Sequence, residues 1–548
     1  DIVYGDVMLN FNYNIRRFDI AATLGWTGRY ENMNNMRVST NGGLVTENWF
    51  DLNASRYTAS STLQRMELLK TGYMGTLSLG WDNYLFLELT GRQERSSTLK
   101  DQSFFYPSAN LSFLFSNAFR MPAWWNHGKL RLSYGVVGNA PETYAANIIY
   151  EQGSDNGFTW NYVPSSWGNA NIRPEKKYEY EIGFESKFLN NRLGFDVSYY
   201  NNRVKDQILS TPQPSTSGVK YVLMNVGEVA NEGWDISVSA TPVLTKNFRW
   251  DLTANYGIYR NKVVKLADGV PYLEISNIGG GGAKIQAVEG RPMGDIYVQV
   301  PQMNENGEYL VSDKGLYMNQ TELQRVGNIN PDGVGGLFSS FSYKNIFLDF
   351  SIDFRIGGDV INEMYQYSTA SGLTPESLQF RDTEHGGLSY YYPGNNNASG
   401  VPVQVDPSLG AGPNGETVYH DGVILPGVVA STGEKNTRII PAGYYYNQTY
   451  NWGTQPEQLT YRHSVFDNSY VKLRELTIGY QFPEKLISKL GMTRLSVSVF
   501  GRNLFYFYKA LKNYDAESSV GTSWASQAVV GGSTTATRNF GVSLRASF

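Results

Sequence analysis

Cysteine does not occur among the 548 residues, which excludes a disulfide scaffold, an iron–sulfur protein and a thiol nucleophile while leaving the compartment open. Charge is sparse as well, with Asp, Glu, Lys and Arg making up 18% of the chain against about 25% in a typical soluble protein. The formal net charge of −4 supplies no basic field, so nucleic acid is not an expected partner. No apolar run approaches the roughly 18 residues of a transmembrane helix. That excludes a helical membrane protein but not a β-barrel, whose strands need only alternate.

Catalytic signatures are missing too. Histidine is limited to His127, His385, His420 and His463, and no two of them have the i, i+4 spacing of a helical zinc site. There is no Gly-x-Ser-x-Gly elbow and no phosphate-binding Gly-rich loop ending in Lys-Ser/Thr. The run from Gly279 to Gly282 lacks the strand-to-helix context of a dinucleotide site and reads as a loop tip. Asp349 and Asp353 lie on one face of a strand, about 13 Å apart by strand rise, too far for a glycosidase pair. Neither an enzymatic reaction nor a cofactor is expected.

Aromatic residues are abundant, at 14%, and period-2 alternation recurs along the chain. After the turn at Tyr343-Lys344-Asn345, Ile346, Leu348, Phe350, Ile352, Phe354 and Ile356 face one way, while Phe347, Asp349, Ser351, Asp353 and Arg355 face the other. Leu193, Phe195, Val197 and Tyr199 repeat the pattern, as do Trp234, Ile236, Val238 and Ala240, then Trp250, Leu252, Ala254, Tyr256 and Ile258, and finally Phe540, Val542, Leu544, Ala546 and Phe548. Successive strand side chains face opposite sides, so lipid outside and water inside a barrel would produce this arrangement directly. Trp26, Trp81, Trp234 and Trp250 suit the aromatic girdles of a bilayer interface.

Short and long connections tend to alternate, as outer-membrane barrels require with their short periplasmic turns and long extracellular loops. Short links lie at Asn14 to Arg17, Trp81 to Asn83, Leu189 to Asn191 and Tyr343 to Asn345. Long ones cover approximately residues 31–66, 139–175, 301–335, 358–468 and 504–537. Counting back from Phe548 keeps the short links on one side if residues 284–300 are two strands turned at Gly290-Arg291-Pro292. The fold expected is therefore all-β, an antiparallel transmembrane β-barrel portion of about 17 strands. A complete bacterial barrel has an even number, so this count implies that the chain is incomplete at its N-terminus, with Asp1 on the extracellular side.

Several stretches then resemble a family. NANIRPEKKYEYEIGFE from Asn169 and NVGEVANEGWDISV from Asn225 are similar to barrel motifs of TonB-dependent outer-membrane transporters. EGRPMGDIY from Glu289, VGNINPDGVGG from Val326, YKNIFLDFSIDFRIGGDV from Tyr343, SYVKLRELTIGYQFP from Ser469, GRNLF from Gly501 and YDAES from Tyr514 resemble its SusC branch. Where that branch has Asp-Pro-Glu, this sequence reads Asp515-Ala516-Glu517, without the ring that would stiffen the turn. The resemblance implies a barrel of about 22 strands preceded by a signal peptide, a TonB-contacting box and a plug. Residues 1–548 would then be the C-terminal part of the barrel, with 358–468 as a long extracellular loop.

What the resemblance implies about function is import of oligosaccharides, with oligopeptides as the second choice, together with a SusD-like surface lipoprotein and driven by the TonB complex. A passive porin or structural barrel is the alternative. Glu179, Glu181, Glu185, Asp196, Asp235, Asp251, Asp349, Asp353 and Arg355 are expected to face the lumen and the plug. Trp160, Tyr162, Trp167, Tyr390, Tyr391, Tyr392, Tyr444, Tyr445, Tyr446, Trp452 and Trp524, all in predicted external loops, are the candidates for contact with solute or lipoprotein, since aromatic rings suit both sugar faces and protein interfaces.

Overall fold

The structure, a computed structural model, describes all residues except 101–102, 156–157, 451–460 and 533–535. Fifteen long strands dominate it, each hydrogen-bonded to the next in the order of the chain. They are β1 (Ile2–Ile15), β2 (Phe18–Leu44), β3 (Ser55–Trp81), β4 (Leu85–Ser96), β5 (Ser103–Phe113), β6 (Trp125–Asn139), β7 (Glu175–Phe188), β8 (Leu193–Lys205), β9 (Glu228–Leu244), β10 (Phe248–Lys265), β11 (Gly333–Tyr343), β12 (Ile346–Ile356), β13 (Tyr470–Gln481), β14 (Arg494–Lys509) and β15 (Asn539–Ser547). The shortest has 9 residues and the longest 27, each enough for the roughly 9–11 that cross a bilayer at a tilt. No helix among the described residues is long and apolar enough to cross a membrane. Contacts divide the chain into two compact units, Asp1–Val238 with Asn261–Pro271 and Ser239–Arg260 with Tyr272–Phe548.

In the first unit the short links make tight hairpins. Arg16, Asp82, Asn83, Leu189, Asn190 and Asn191 all have φ between 51° and 62°, the left-handed region that matches the twist of a two-residue hairpin and that Asn and Asp tolerate. An aromatic band follows these turns. Trp81 stacks on Phe18 at 6.4 Å and meets Tyr84 at 5.3 Å, Phe113 meets Tyr84 and Phe119, and Trp124 and Trp125 pack on Phe188. In the second unit Trp250 stacks on Phe341 at 5.4 Å, beside the turn at Lys344. Trp26 and Trp234 stand further along their strands.

Residues 284–300 differ from expectation. Ala283–Val288 and Asp295–Val298 belong to a separate four-stranded sheet with Tyr272–Ile278 and Gln324–Asn328, which accounts for fifteen long strands instead of about 17. At 6 and 4 residues they are too short to span a bilayer, and neither presents an apolar face to lipid. Ile285, Ile296 and Val298 are buried in a core shared with Ile361, Tyr461 and Val529. Asp295, fully buried, anchors this sheet through Arg291 at 2.6 Å, Arg325 at 2.9 Å and Asn328 at 2.9 Å.

The long connections also carry more structure than alternation reveals. β2 and β3 run on to Leu44 and from Ser55, so the link expected over 31–66 shrinks to residues 45–54. Beyond the membrane both faces of a strand meet water, and the apolar/polar period that marks a spanning strand disappears. Residues 358–468 hold the helices α1 (Glu363–Ala370) and α2 (Ala442–Tyr450) and several short strands. Their core includes Tyr446 and Tyr450 on α2, with Tyr365 of α1 packed against them.

Candidate functional site

The register of β1–β8 sorts the side chains into rows. One row runs through Asn12, Ala21, Ser78, Glu88, Asn110, Ser133, Glu181 and Tyr200, each opposite the next on the neighbouring strand. The adjacent row, one residue along each strand, reads Tyr13, Ile20, Leu79, Leu87, Leu111, Leu132, Ile182 and Tyr199. One face of this unit is therefore polar and the other apolar. The polar face lines a groove of about 800 Å³ bordered by Asn12, Asp19, Ser78, Glu88, Asn110 and Arg131. The apolar face is left open, with Leu132, Tyr134, Tyr180 and Ile182 all exposed.

Glu179, Glu181, Glu185 and Asp196 share the polar face, and two of them are bridged by a common cation. Glu185 and Asp196 stand directly opposite each other, an arrangement that repels unless a cation intervenes. Arg131 supplies it, at 2.6 Å from Asp196 and 3.4 Å from Glu185, and also donates to Ser198. Glu179 pairs with Lys177 at 2.6 Å and accepts from Asn202. Glu181 lines a second hollow with Ser133 and Lys177. Asp235 is exposed on β9, and the ring of its neighbour Trp234 lies 4.9 Å from Tyr199.

In the second unit Asp251 pairs with Arg249 and accepts from Thr241, and Asp349 accepts from Ser340 at 2.6 Å. Arg355 donates to the backbone carbonyls of Ile329 and Gly357 at the end of its strand. The cation beside Asp353 is Arg474, which also forks onto Glu517 at 2.6 and 2.9 Å. Arg474 is skipped in the register on both sides of β13, so a β-bulge aims it at these acids. Buried Lys472 bonds the same Glu517, and its ammonium lies 4.8 Å from the centre of the Tyr506 ring. Burial pushes the Glu517 carboxyl up, but the hydrogen bonds from Arg474 and Lys472 outweigh it and hold it at about 2. Asp515 accepts from Tyr506 and from the Glu517 amide, and Asn468 bonds the Ala516 carbonyl. Side chains thus pin the turn that lacks proline. The roles of Arg131, Lys472 and Arg474 are not legible from sequence, and Glu517 is legible only as part of the Asp515-Ala516-Glu517 turn. Alternation places Arg131 among polar neighbours, whereas the bulge that redirects Arg474 leaves no trace in the pattern.

The loop aromatics separate by burial. Tyr390 is 1% exposed and Tyr446 6%, so these two build loop cores and present no face to a ligand. Tyr391, Tyr392 and Tyr445 are half-buried, and Tyr392 packs edge-on to Tyr390 at 5.6 Å. Trp167 is half-buried on a short strand beside Val222. Trp524 lies over Gly294, where a Cβ would meet its ring at 2.9 Å, and donates to Asn330. Trp160 and Tyr162, on the hairpin Glu151–Asp155/Phe158–Tyr162, and Tyr444 on α2 are exposed. Trp452 lies outside the described residues. No cluster of three or more His, Cys, Asp or Glu able to hold a metal occurs among the described residues.

Strands that pair in chain order, one face polar and ion-paired and the other apolar and open, define a membrane β-barrel wall. The chain belongs to the TonB-dependent receptor β-barrel family, since residues 3–295 match the family model described as "TonB dependent receptor-like, beta-barrel". It is similar to TonB-dependent receptor P3 of Formosa agariphila, 22% identical over 494 residues that cover 82% of this chain and 42% of that protein. It is also similar to TonB-dependent receptor SusC of Bacteroides thetaiotaomicron, 27% identical over 41% of this chain and 24% of that one. Among solved structures, the RagAB peptide transporter has the same fold, with a TM-score of 0.71 at 18% identity over 99% of this chain and 55% of that one. The chain spans less than half the length of these curated relatives. Its family is one of outer-membrane receptors and transporters, not enzymes, and the chain is an integral outer-membrane protein.

Proposed function

We propose that this chain is part of the barrel wall of a SusC-like importer that takes up oligosaccharides with a SusD-like surface lipoprotein and draws its energy from the TonB complex. The observation that carries the reading is the pair of adjacent rows across β1–β8, polar through Ser78, Glu88 and Glu181 and apolar through Leu79, Leu87 and Ile182. A wall of this kind holds water and a plug on one side and lipid on the other. The carboxylates of the polar face offer charge-assisted hydrogen bonds to a plug. Trp160, Tyr162, Tyr444 and Trp524 are exposed aromatics that suit stacking against sugar rings. Likeness of fold to a peptide transporter leaves the choice between glycan and peptide to experiment.

The test is uptake of a labelled oligosaccharide by cells carrying the whole transporter, in competition with unlabelled glycans and with oligopeptides. Competition by glycans and loss of uptake when Trp160 and Tyr162 are both replaced by Ala support the oligosaccharide reading. Competition by peptides alone replaces it with the second cargo.

A further inference from the structure

The link from β13 to β14 folds into two short helical turns, Glu484–Ile487 and Ser488–Leu490, directly after Phe482 and Pro483. Ser488 keeps right-handed helical angles between them, so they wind as one piece. Gly491, at φ 71°, ends it, its amide donating to the Ser488 carbonyl at 3.1 Å. At about 100° per residue, Lys485 and Lys489 share one strip, Leu486 and Leu490 the next, and Ile487 the strip beyond, with Glu484 and Ser488 completing the circle. Ile487 is 2% exposed, so its strip faces the protein, whereas Leu486 and Leu490 are 63% and 65% exposed. Single exposed leucines are ordinary. Two on one strip, flanked by lysines, form the pattern of a helix lying in a membrane interface.

Its place in the wall fits that pattern. The apolar face of β13 runs through the exposed Ile478 and Tyr480 to Phe482, whose ring meets Tyr480 edge-on at 5.2 Å. The neighbouring turns lie at the same rim, since the Asn345 side-chain amide donates to the Gln481 carbonyl and the Lys344 backbone amide to the Asn247 carbonyl, both at 2.7 Å. Leu244, Tyr343 and Ile346 are exposed there, near the stack of Trp250 on Phe341. The leucine strip thus continues the lipid-facing surface at its aromatic girdle. Short links of outer-membrane barrels face the periplasm, so the layer it meets is the periplasmic leaflet.

Charge selects the lipid. The three linked turns, residues 245–247, 343–345 and 483–493, carry Lys246, Lys344, Lys485 and Lys489 against one carboxylate, Glu484. The strand ends beside them add Arg494, Arg545 and Arg249, the last paired with Asp251. Lysine stems lie along apolar surface while their ammoniums reach out to a headgroup layer, and a basic rim is drawn to anionic lipid. An acidic protein would match the charges, but the leucines border strand residues that already meet lipid, which favours the bilayer. We infer that the β13–β14 link is an anchor for anionic phospholipid, with Leu486 and Leu490 among the acyl chains and Lys485 and Lys489 on the phosphates. The inference goes beyond uptake and needs neither the cargo nor the lipoprotein.

The test uses the whole transporter, with any cysteine outside this chain replaced by serine, reconstituted in vesicles of phosphatidylcholine and phosphatidylglycerol in equal parts. A nitroxide is attached at Leu490→Cys or at Ser488→Cys, and its collisions with oxygen and with a water-soluble nickel chelate are measured. The expected result is a label at 490 that meets oxygen in preference to the chelate, and a label at 488 with the opposite preference. Chelate access at 490 rises roughly threefold or more when Lys485→Gln and Lys489→Gln are added, or when phosphatidylcholine alone forms the vesicle. Heat-modifiable gel mobility checks that each variant is folded. Equal chelate access at 490 and 488 overturns the anchor. A label at 490 that is shielded but indifferent to the lysines and to phosphatidylglycerol overturns anionic lipid as the ligand. Shielding present in native outer membranes and absent from the vesicles assigns the strip to a periplasmic protein and likewise overturns the inference.

Discussion

Glu517 is held by two cations of different kinds, the forked guanidinium of Arg474 and the buried ammonium of Lys472. Replacing it by Gln leaves Lys472 without a carboxylate and Arg474 with that of Asp353 alone, a loss of about 1–3 kcal/mol on the scale of hydrogen bonds to charged groups. The expected outcome for Glu517→Gln is faster limited proteolysis within residues 510–530 and unchanged cleavage in residues 141–174. The carboxyl sits at about 2 in the folded protein against an ordinary 4.5, so its contribution is complete above pH 4.5 and is lost as pH falls towards 2. Proteolysis by an acid protease should therefore accelerate in that window in the native protein, and the acceleration should be weaker in Glu517→Gln. At this scale the sequence was only partly informative. Alternation puts Asp196, Glu185 and Glu179 on a common face, and in the register Glu185 stands opposite Asp196 and Glu179 opposite Asn202. It also groups Arg355 with Asp349 and Asp353 by face, and strand period alone does not tell that its guanidinium turns to backbone carbonyls at the strand end.

Strands were legible wherever they cross between two unlike solvents. Leu132 and Ser133 are neighbours on β6, one in the apolar row and the other in the polar row. Arginine at 132 should destabilise the protein by roughly 2–4 kcal/mol if it lies near the bilayer midplane, whereas arginine at 133 should be tolerated, as read by unfolding in lipid vesicles. The absence of native cysteine makes a second reading of the same pair clean. Ser133→Cys should react with a membrane-impermeant thiol reagent added to permeabilised outer-membrane vesicles, and Leu132→Cys should not. Equal labelling of both would contradict the assignment of faces. Elements that leave the membrane were not legible. The outer halves of β2 and β3 carry Ser, Thr and Asn on one face and isolated apolar residues on the other, too weak a period to extend the strands from sequence. Ala283–Val288 and Asp295–Val298 failed in the opposite way. They are strands, but their apolar residues serve a core rather than lipid, and an apolar run of that length carries no mark of which it will meet.

For the whole molecule, the family was legible because its motifs occur in order along the chain, and the match of residues 3–295 to the receptor barrel agrees with them. Cargo and energy source are properties of the complete transporter, of which this chain covers 42% and 24% of the relatives compared. A passive barrel and an energised importer could share every feature of the wall, since both need a wet face and a greasy one. They differ in what drives solute across. The most direct measurement is uptake of a labelled oligosaccharide by cells carrying the whole transporter, before and after a protonophore collapses the inner-membrane proton gradient. An energised importer predicts saturable uptake that stops when the gradient is lost. Uptake that rises linearly with concentration and continues unchanged after the protonophore would contradict it.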